Sequence, residues 1–288
     1  MKISIIIPTY NSSSYIKKLL SSIPITQNVE IIIVDDYSSD IAELKMVASL
    51  FFNVDIYSNN GTKGAGTCRN IGVNHALGEF LIFADSDDFF DADVELVFDN
   101  IDELIPKNCE VGYFKPFSIS TCGKPSSRHE MYERLVKLHL KCNCEYVRYW
   151  FHVPWSKIIR RNFVLSHQLK FSETMVSNDV IFSLLVGIKS TSIISHNLSF
   201  YTVLEREGSL TKNPSFLMLN QRLDIVREYN ALLKEYRLSE YCIPEVIYLI
   251  KMFKLEPTKV VKLAWKANNL FPNFTYIRSR IANRLCKK

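Results

Sequence analysis

The segment Asp85-Ser86-Asp87-Asp88 stands at the tip of an apolar run, Phe80-Leu-Ile-Phe-Ala84. The run is short and bounded by Gly78 and the charge cluster, so it reads as a buried strand. Carboxylates buried there without partners would be very costly. At the carboxyl end of a parallel strand they face instead the crevice where open α/β sheets bind ligands. An Asp-x-Asp pair in that place can hold a hard divalent cation, which in turn holds phosphate oxygens. Other residues point to the same crevice. Pro8-Thr9-Tyr10-Asn11 follows one β-branched run and Asp35-Asp36 ends another. Gly61-Thr-Lys63-Gly64-Ala-Gly66-Thr-Cys-Arg69-Asn70 opens a helix, where free N–H groups favour an anion and Lys63 and Arg69 add positive charge. Carboxylates for ribose and metal, with cations for phosphate, suit a nucleoside diphosphate.

Each piece alone has a plainer reading. An Asp pair after a strand often only closes a turn. A single Arg is commonly a surface ion pair, and Gly64-x-Gly66 is a weak motif. Arg69 occupies the place of the third glycine of a dinucleotide fingerprint, and no G-x-x-x-x-G-K-[ST] is present. The ordered succession of the pieces along one alternating pattern favours a site.

The elements that must position these residues follow from periodicity. Ile3–Ile7 is a strand ended by Pro8, and Asn11 is placed to cap a helix through Tyr15, Ile16, Leu19, Leu20 and Ile23. Glu30–Val34 is a second strand, after which Asp40 caps a helix through Leu44, Ala48 and Phe51. Val54–Tyr57 is a third strand, and Ala65–Leu77 a helix closed by Gly78. With the carboxylate-tipped strand this makes a βαβαβαβ series, hence a mostly parallel sheet with helices on both faces. Further on, the pattern predicts a helix over Val94–Leu104, a strand over Cys109–Phe114, a polar loop over Thr121–Ser127 and a helix over Glu130–Leu140. Trp155–Arg160 reads as a strand, Asn178–Ile188 as a helix and Ser192–Val203 as strand-like. Amphipathic helices interrupted at Pro244, Pro257 and Pro272 follow from Pro214.

Four of these segments resemble, in order and spacing, the inverting glycosyltransferases of family 2. They are Ser4-Ile-Ile-Ile-Pro-Thr-Tyr-Asn11, Ile31-Ile-Ile-Val-Asp-Asp-Tyr-Ser-Ser-Asp40, Gly64 to Asn70, and Gly78 to Asp88. A fifth, weaker match joins Pro154-Trp-Ser-Lys-Ile-Ile-Arg-Arg-Asn162 to Ser177-Asn-Asp-Val-Ile-Phe182. The resemblance implies a GT-A, Rossmann-like α/β fold with a C-terminal helical extension. The expected divisions are a nucleotide-sugar half over 1–110, an acceptor half over 111–213 and a helical region over 214–288.

The resemblance also implies roles. Pro8, Thr9, Tyr10 and Asn11 would line the base pocket and Asp36 the base edge, with Lys63, Gly64, Arg69, Asp85 and Ser86 completing the nucleotide site. Asp87, with Asp85, would hold a divalent cation, Mn2+ or Mg2+. Asp179 falls at the general base, Trp155 and Asn178 on the acceptor side, and Arg206 on a phosphate-facing loop. For Trp155 a place in the core is the rival reading. Two residues depart from the family pattern. Tyr37 stands where the family usually has Gly, and Asn178 replaces the usual Glu before Asp179. The expected donor is a nucleotide sugar, a UDP-sugar first, and the expected acceptor a saccharide or lipid-linked saccharide in bacterial surface-polysaccharide assembly. The rival functions are a sugar-nucleotide nucleotidyltransferase and an inactive nucleotide- or lipid-binding module. The first usually carries a Gly-rich loop after strand one, where this chain has Pro8-Thr-Tyr-Asn11.

Composition sets the outer bounds. The 288 residues are 47% apolar and 23% charged, which is ordinary globular composition. No apolar run approaches the roughly 20 residues of a membrane span. Met1–Pro8 lacks the features of a signal peptide, and seven scattered cysteines suit a reducing compartment. A cytoplasmic protein is therefore expected. The net charge of +5 gathers toward the C-terminus, where Lys259–Lys288 sets Trp265, Leu270, Phe271, Phe274, Ile277, Ile281 and Leu285 among cations. Such a face suits the anionic inner surface of the plasma membrane, or equally a helical cap or dimer contact. The modest, one-ended charge excess argues against nucleic acid.

Overall fold

The computed structural model describes residues 1–24, 26–206, 214–264, 270, 271 and 276. The chain divides into two compact units, Met1–Glu207 and Gly208–Lys288. The first unit opens with β1 (Ile3–Thr9), α1 (Ser13–Ser21), β2 (Val29–Asp35), α2 (Ile41–Ala48), β3 (Val54–Ser58), α3 (Ala65–His75) and β4 (Phe80–Phe83). It continues through β5 (Phe89–Phe90), α4 (Val94–Asp99), α5 (Ile101–Leu104), β6 (Val111–Phe114), β7 (Phe117–Ser120), α6 (Glu130–Cys142) and α7 (Tyr146–Trp150). It ends with β8 (Lys157–Arg160), α8 (Arg161–Ser166), α9 (Val180–Lys189), β9 (Ile193–His196) and β10 (Tyr201–Glu205).

Every residue of β1 and β2 is buried, as in strands covered on both faces. Ile3, Ile5, Ile7, Ile31 and Ile33 pack with Ile16, Leu19 and Leu20 of α1 in one core. Ile6, on the opposite face of β1, lies against α3 at Gly72. The main sheet runs β3-β2-β1-β4-β8-β6-β9. All its pairings are parallel except those of β8, which runs against β4 and β6. A second sheet of order β5-β10-β7 stands beside it. Buried Glu30 accepts from Ser4 Oγ at 2.5 Å, Leu77 N at 2.6 Å and Gly78 N at 2.9 Å. That carboxylate locks β1, β2 and the turn into β4 together, and so fixes where the β4 tip emerges.

Several local expectations are corrected. Asn11 does not cap α1; its φ is 47°, and the α1 N-cap is Ser12. Asp40 makes no cap bond to α2 and instead accepts from Ser13 N of α1 at 3.0 Å. The C-cap of α3 is Ala76, and Gly78 N donates to Ser4 Oγ and Glu30. The helix expected over Val94–Leu104 is the pair α4 and α5, broken at Asn100. The strand expected over Ser192–Val203 is two strands in different sheets, β9 and β10.

In the second unit, α10 (Phe216–Glu235), a 3-10 turn (Ser239–Tyr241), α11 (Val246–Phe253) and α12 (Pro257–Ala264) surround a small core. It comprises Leu219, Leu223, Leu249, Met252 and Val260. Ser215 Oγ caps α10 through Met218 N, and α12 begins at Pro257, where proline suits a first helical turn. Most of the segment Lys259–Lys288, including Pro272, Trp265, Phe274, Ile277, Ile281 and Leu285, lies outside the described residues.

Candidate active site

The strand tips are held side by side because ladder bonds continue past the strands. Asp36 N donates to the Thr9 carbonyl at 2.8 Å, Asn59 N to Asp35 at 2.7 Å and Ala84 N to Ile6 at 3.1 Å. Pro8 and Thr9 are buried at the end of β1, whereas Tyr10 is exposed. Asn11 fastens the first turn to the second, its N donating to Ser38 Oγ and its Oδ1 accepting from Ser39 N, each at 2.9 Å. Buried Asp36 accepts from Asn59 Nδ2 at 2.7 Å and from Gly64 N at 3.1 Å. The glycine-bearing loop is thereby tied to the tip of β2. Gly64 has φ of 147°, which a side chain rarely adopts. Tyr37 takes up φ of 61° and donates its hydroxyl to the Gly61 carbonyl at 2.9 Å. Lys63, expected near phosphate, instead packs over the Tyr10 ring, 3.7 Å from its centroid.

Arg69 is the hub. It is 5% exposed and reaches two distant segments. One guanidinium nitrogen donates to Asp85 Oδ1 at 2.6 Å, another to Asn178 Oδ1 at 2.8 Å. The end of β4 and the entry to α9 therefore meet at one side chain. Two further contacts hold that entry in place. A Cβ on Gly66 would fall 2.1 Å from the Ser172 carbonyl, so only glycine permits the approach. Asn70 exchanges both amide bonds with the Phe171 backbone, at 2.8 and 3.0 Å. Thr9 Oγ1, Thr67 Oγ1 and Arg69 Nε are buried polar atoms without a protein hydrogen-bond partner.

The Asp85–Asp88 turn is clamped from β10. Tyr201 accepts from Asp85 N and donates to Asp88 Oδ2, each at 2.8 Å. Asp88 Oδ1 accepts from Leu204 N at 2.8 Å. Asp88 is thus a structural anchor, and Ser86 is buried within the turn. Asp87 pairs with Arg206 at 2.5 Å, and Arg206 also covers the Tyr15 ring. Burial, and next the charge of Asp85, hold the Asp87 carboxyl above its usual range, while Arg206 opposes. Among the described residues no group of three or more His, Cys, Asp and Glu side chains is arranged to enclose a metal. Asp85 and Asp87 are each paired with an arginine through one oxygen, and the pair fits another kind of site, a hard cation held by one or two carboxylates and completed by substrate phosphates.

Asp179 is the N-cap residue of α9, yet its carboxylate makes no cap bond to that helix. Burial is the main cause holding it above the usual carboxylate range, with Arg69 opposing and Asp85 adding. Arg69 thus brings Asp85 to Asn178, the residue before Asp179, and Asp87 lies in the same turn as Asp85. Two acceptor-side expectations are corrected. Trp155 is 1% exposed and packs against Tyr132 and Tyr201, so no sugar reaches its face. Asn178 is committed to Arg69 and to the Thr174 carbonyl, so it positions Arg69 instead of presenting a free amide. The sequence reading missed Tyr201, Asn59 and Asn70, whose roles depend on partners 23 to 116 residues away. An apolar pocket lined by Leu20, Ile23, Val29, Ile31, Phe51 and Phe52 contains none of these residues.

Comparison with known proteins agrees with this geometry. The model of glycosyl transferase family 2 matches residues 4–160. Glycosyltransferase GlyA of Streptococcus pneumoniae is 28% identical over 251 residues, covering 81% of this chain and 34% of that protein. The poly(ribitol-phosphate) beta-N-acetylglucosaminyltransferase TarS of Staphylococcus aureus is likewise 28% identical, covering 82% of this chain and 42% of TarS. The chain therefore spans less than half the length of these two relatives. Among solved structures, S. aureus TarS 1-349 with UDP-GlcNAc superposes with a TM-score of 0.65 at 22% identity, over 91% of this chain and 76% of that one. The mannosyltransferase PcManGT of Pyrobaculum calidifontis, with GDP-Man and Mn2+, gives 0.60 at 12% identity, over 100% and 81%. These neighbours share the GT-A-like α/β fold. With the family model covering more than half of its residues, the chain belongs to glycosyl transferase family 2.

Proposed function

We propose that the chain is an inverting glycosyltransferase that moves a sugar from a UDP-sugar to a hydroxyl of a saccharide or lipid-linked saccharide. The observation that carries this is Arg69, which joins the Asp85 carboxylate to the segment bearing Asp179. A donor's diphosphate and an acceptor's proton acceptor then share one crevice. The relatives' names and the UDP-GlcNAc complex of TarS support the donor class.

The chemistry follows from the residues. Thr9, Tyr10 and Asp36 border the base, and the α3 N-terminus with Arg69 faces the diphosphate. A divalent cation held by Asp87 with Asp85 would neutralise charge on the leaving diphosphate. Asp179 takes the acceptor hydroxyl proton as the oxygen attacks the anomeric carbon from the face opposite the leaving group. The carbon–oxygen bond to the diphosphate breaks, its electron pair leaves with the nucleotide, and the anomeric centre inverts. No protein nucleophile is required. Such a base contributes ~10²–10⁴-fold in rate.

We place the protein in the cytoplasm, peripheral on the inner membrane face. Ile250, Phe253, Leu255 and Val261 are exposed on and near α11 and α12 beside Lys251, Lys254 and Lys259, which supports that placement. Incubation with a panel of sugar nucleotides, with Mn2+ or Mg2+ and then with chelator, tests the activity. Release of UDP from one donor is expected; no release from any donor across the panel contradicts it.

A further inference from the structure

Asn70 lies in the interior of α3, where asparagine is a poor helix former because its amide competes with the backbone. What it does there offsets that cost. Nδ2 donates to the Phe171 carbonyl at 3.0 Å, and Oδ1 accepts from Phe171 N at 2.8 Å. Both ends of the amide are thus spent on one residue, 101 positions away. Two bonds to a single residue fix its orientation as well as its distance. Arg69, the preceding residue, divides its bonds between Asp85 and Asn178; those of Asn70 go to Phe171.

Phe171 in turn governs the segment that follows it. Ser172 N donates to the Asn178 carbonyl at 3.0 Å, which closes residues 172–178 into a loop whose two ends meet. The Phe171 ring stacks on Phe182, in the first turn of α9, with 3.8 Å between centroids. Asp179 joins the closed loop to that helix. The chain on one side of Asp179 is therefore tied to Ser172, and on the other to the Phe171 ring. Ser183 N also donates to the Asp179 carbonyl at 2.9 Å, so the backbone of Asp179 turns with α9. Gly66, one turn before Asn70 on α3, leaves room for the Ser172 carbonyl to approach.

We propose that Asn70 is a positioning residue for sugar transfer. Its clamp on Phe171 makes the segment that carries Asp179 ride on α3, and so sets the proton acceptor at a fixed place relative to the helix start that faces the donor's diphosphate. This rests on Asp179 being the general base. Asn70 itself touches neither substrate; it acts through Phe171 and the loop that Phe171 anchors.

The test is Asn70→Ala, with Asn230→Ala as the comparison. Asn230 makes the same two-bond clamp in the second unit, donating to the Ile243 carbonyl and accepting from Ile243 N, each at 2.8 Å. Each variant loses the same pair of bonds. A merely structural asparagine therefore predicts one outcome for both, lower stability with kcat unchanged in the folded enzyme. The positioning role predicts a kcat lower by about tenfold to a hundredfold in Asn70→Ala alone, since a misplacement of about 1 Å suffices for that. Donor KM and UDP affinity stay at the wild-type value. A kcat that also stays there, or that falls equally in both variants, overturns the proposal. A second measurement needs no turnover. Hydrogen exchange should be faster over residues 171–182 in Asn70→Ala than in wild type, with β1 and β2 unchanged. In wild type the Phe171 and Ser172 amides should be protected like those of α3; rapid exchange of both would overturn the clamp without any variant. If wild type transfers no sugar from any donor while Asn70→Ala still loosens 171–182, the assignment of function fails and the proposal with it. Loosened exchange with kcat unchanged removes the positioning role and leaves the function standing.

Discussion

Replacing Arg69 by Met separates two readings of the crevice, one in which Arg69 is incidental and one in which it holds the site together. The methionine keeps most of the buried stem and removes two hydrogen bonds, at 2.6 Å to Asp85 and 2.8 Å to Asn178. Breaking a buried ion pair by removing one partner typically costs about 3–5 kcal/mol. Asp85 keeps 29% side-chain exposure, so water recovers part of that loss. The Asn178 bond, donated by the charged guanidinium, is worth about 1.5 kcal/mol. With the ion-pair loss cut by that exposure to about 1–2.5 kcal/mol, the total is about 2.5–4 kcal/mol. For a folding unit the size of Met1–Glu207 that corresponds to a fall in Tm of about 5–15 °C. The same substitution removes a cation that holds Asp179 down, so its carboxyl should rise further. Calorimetry on both proteins, with a UDP titration of each, measures the effects separately. A Tm within 2 °C of wild type, as an arithmetic bound from about 0.5 kcal/mol, would refute the claim that Arg69 joins the two segments.

Further outcomes concern the strained turn and pH. Tyr37→Gly should be nearly neutral for stability, because relief of about 1–2 kcal/mol of left-handed strain is offset by glycine's greater unfolded-state freedom and the lost bond to Gly61. Tyr37→Ala keeps the strain and loses the bond, so urea unfolding should rank it below Tyr37→Gly; the opposite order would show that φ at this position carries no strain. His152 is lowered from 6.5 to about 4, chiefly by burial and then by Lys157. A base held below its unfolded value gains its proton on unfolding, so stability is full above 6.5 and is lost as pH falls toward 4. The loss is about 2–3 kcal/mol by pH 4.5. Urea midpoints at pH 7 and 4.5 should differ less in His152→Asn, and an equal difference would place the acid sensitivity elsewhere.

The N-terminal half of the site is legible because buried parallel strands write their own signature. β1 and β2 are mostly β-branched, with Ser4 and Glu30 as polar exceptions inside them, and each ends where polar residues must leave the core. The tips Thr9, Asp36 and Asp85 follow directly from that pattern. Strand direction has no local signature, which is why the antiparallel entry of β8 is invisible in Trp155–Arg160. The burial of Trp155 depends on Tyr132 and Tyr201, residues distant in sequence. Asp40 is an ordinary helix-start residue by type, and only the folded chain shows it serving α1. Lys157 carries least warning of all, since lysine is seldom fully buried and its four-residue strand offers no cue to which side chains surround it.

The most direct measurement compares Asp179→Asn with wild type in two assays on the same preparations, UDP affinity by calorimetry and single-turnover sugar transfer from the donor identified in the panel. The account predicts UDP affinity within about threefold of wild type, under 1 kcal/mol, and transfer slowed by ~10²–10⁴-fold. Transfer at the wild-type rate would remove Asp179 from the chemistry, and with it the claim that one crevice joins the diphosphate site to the proton acceptor.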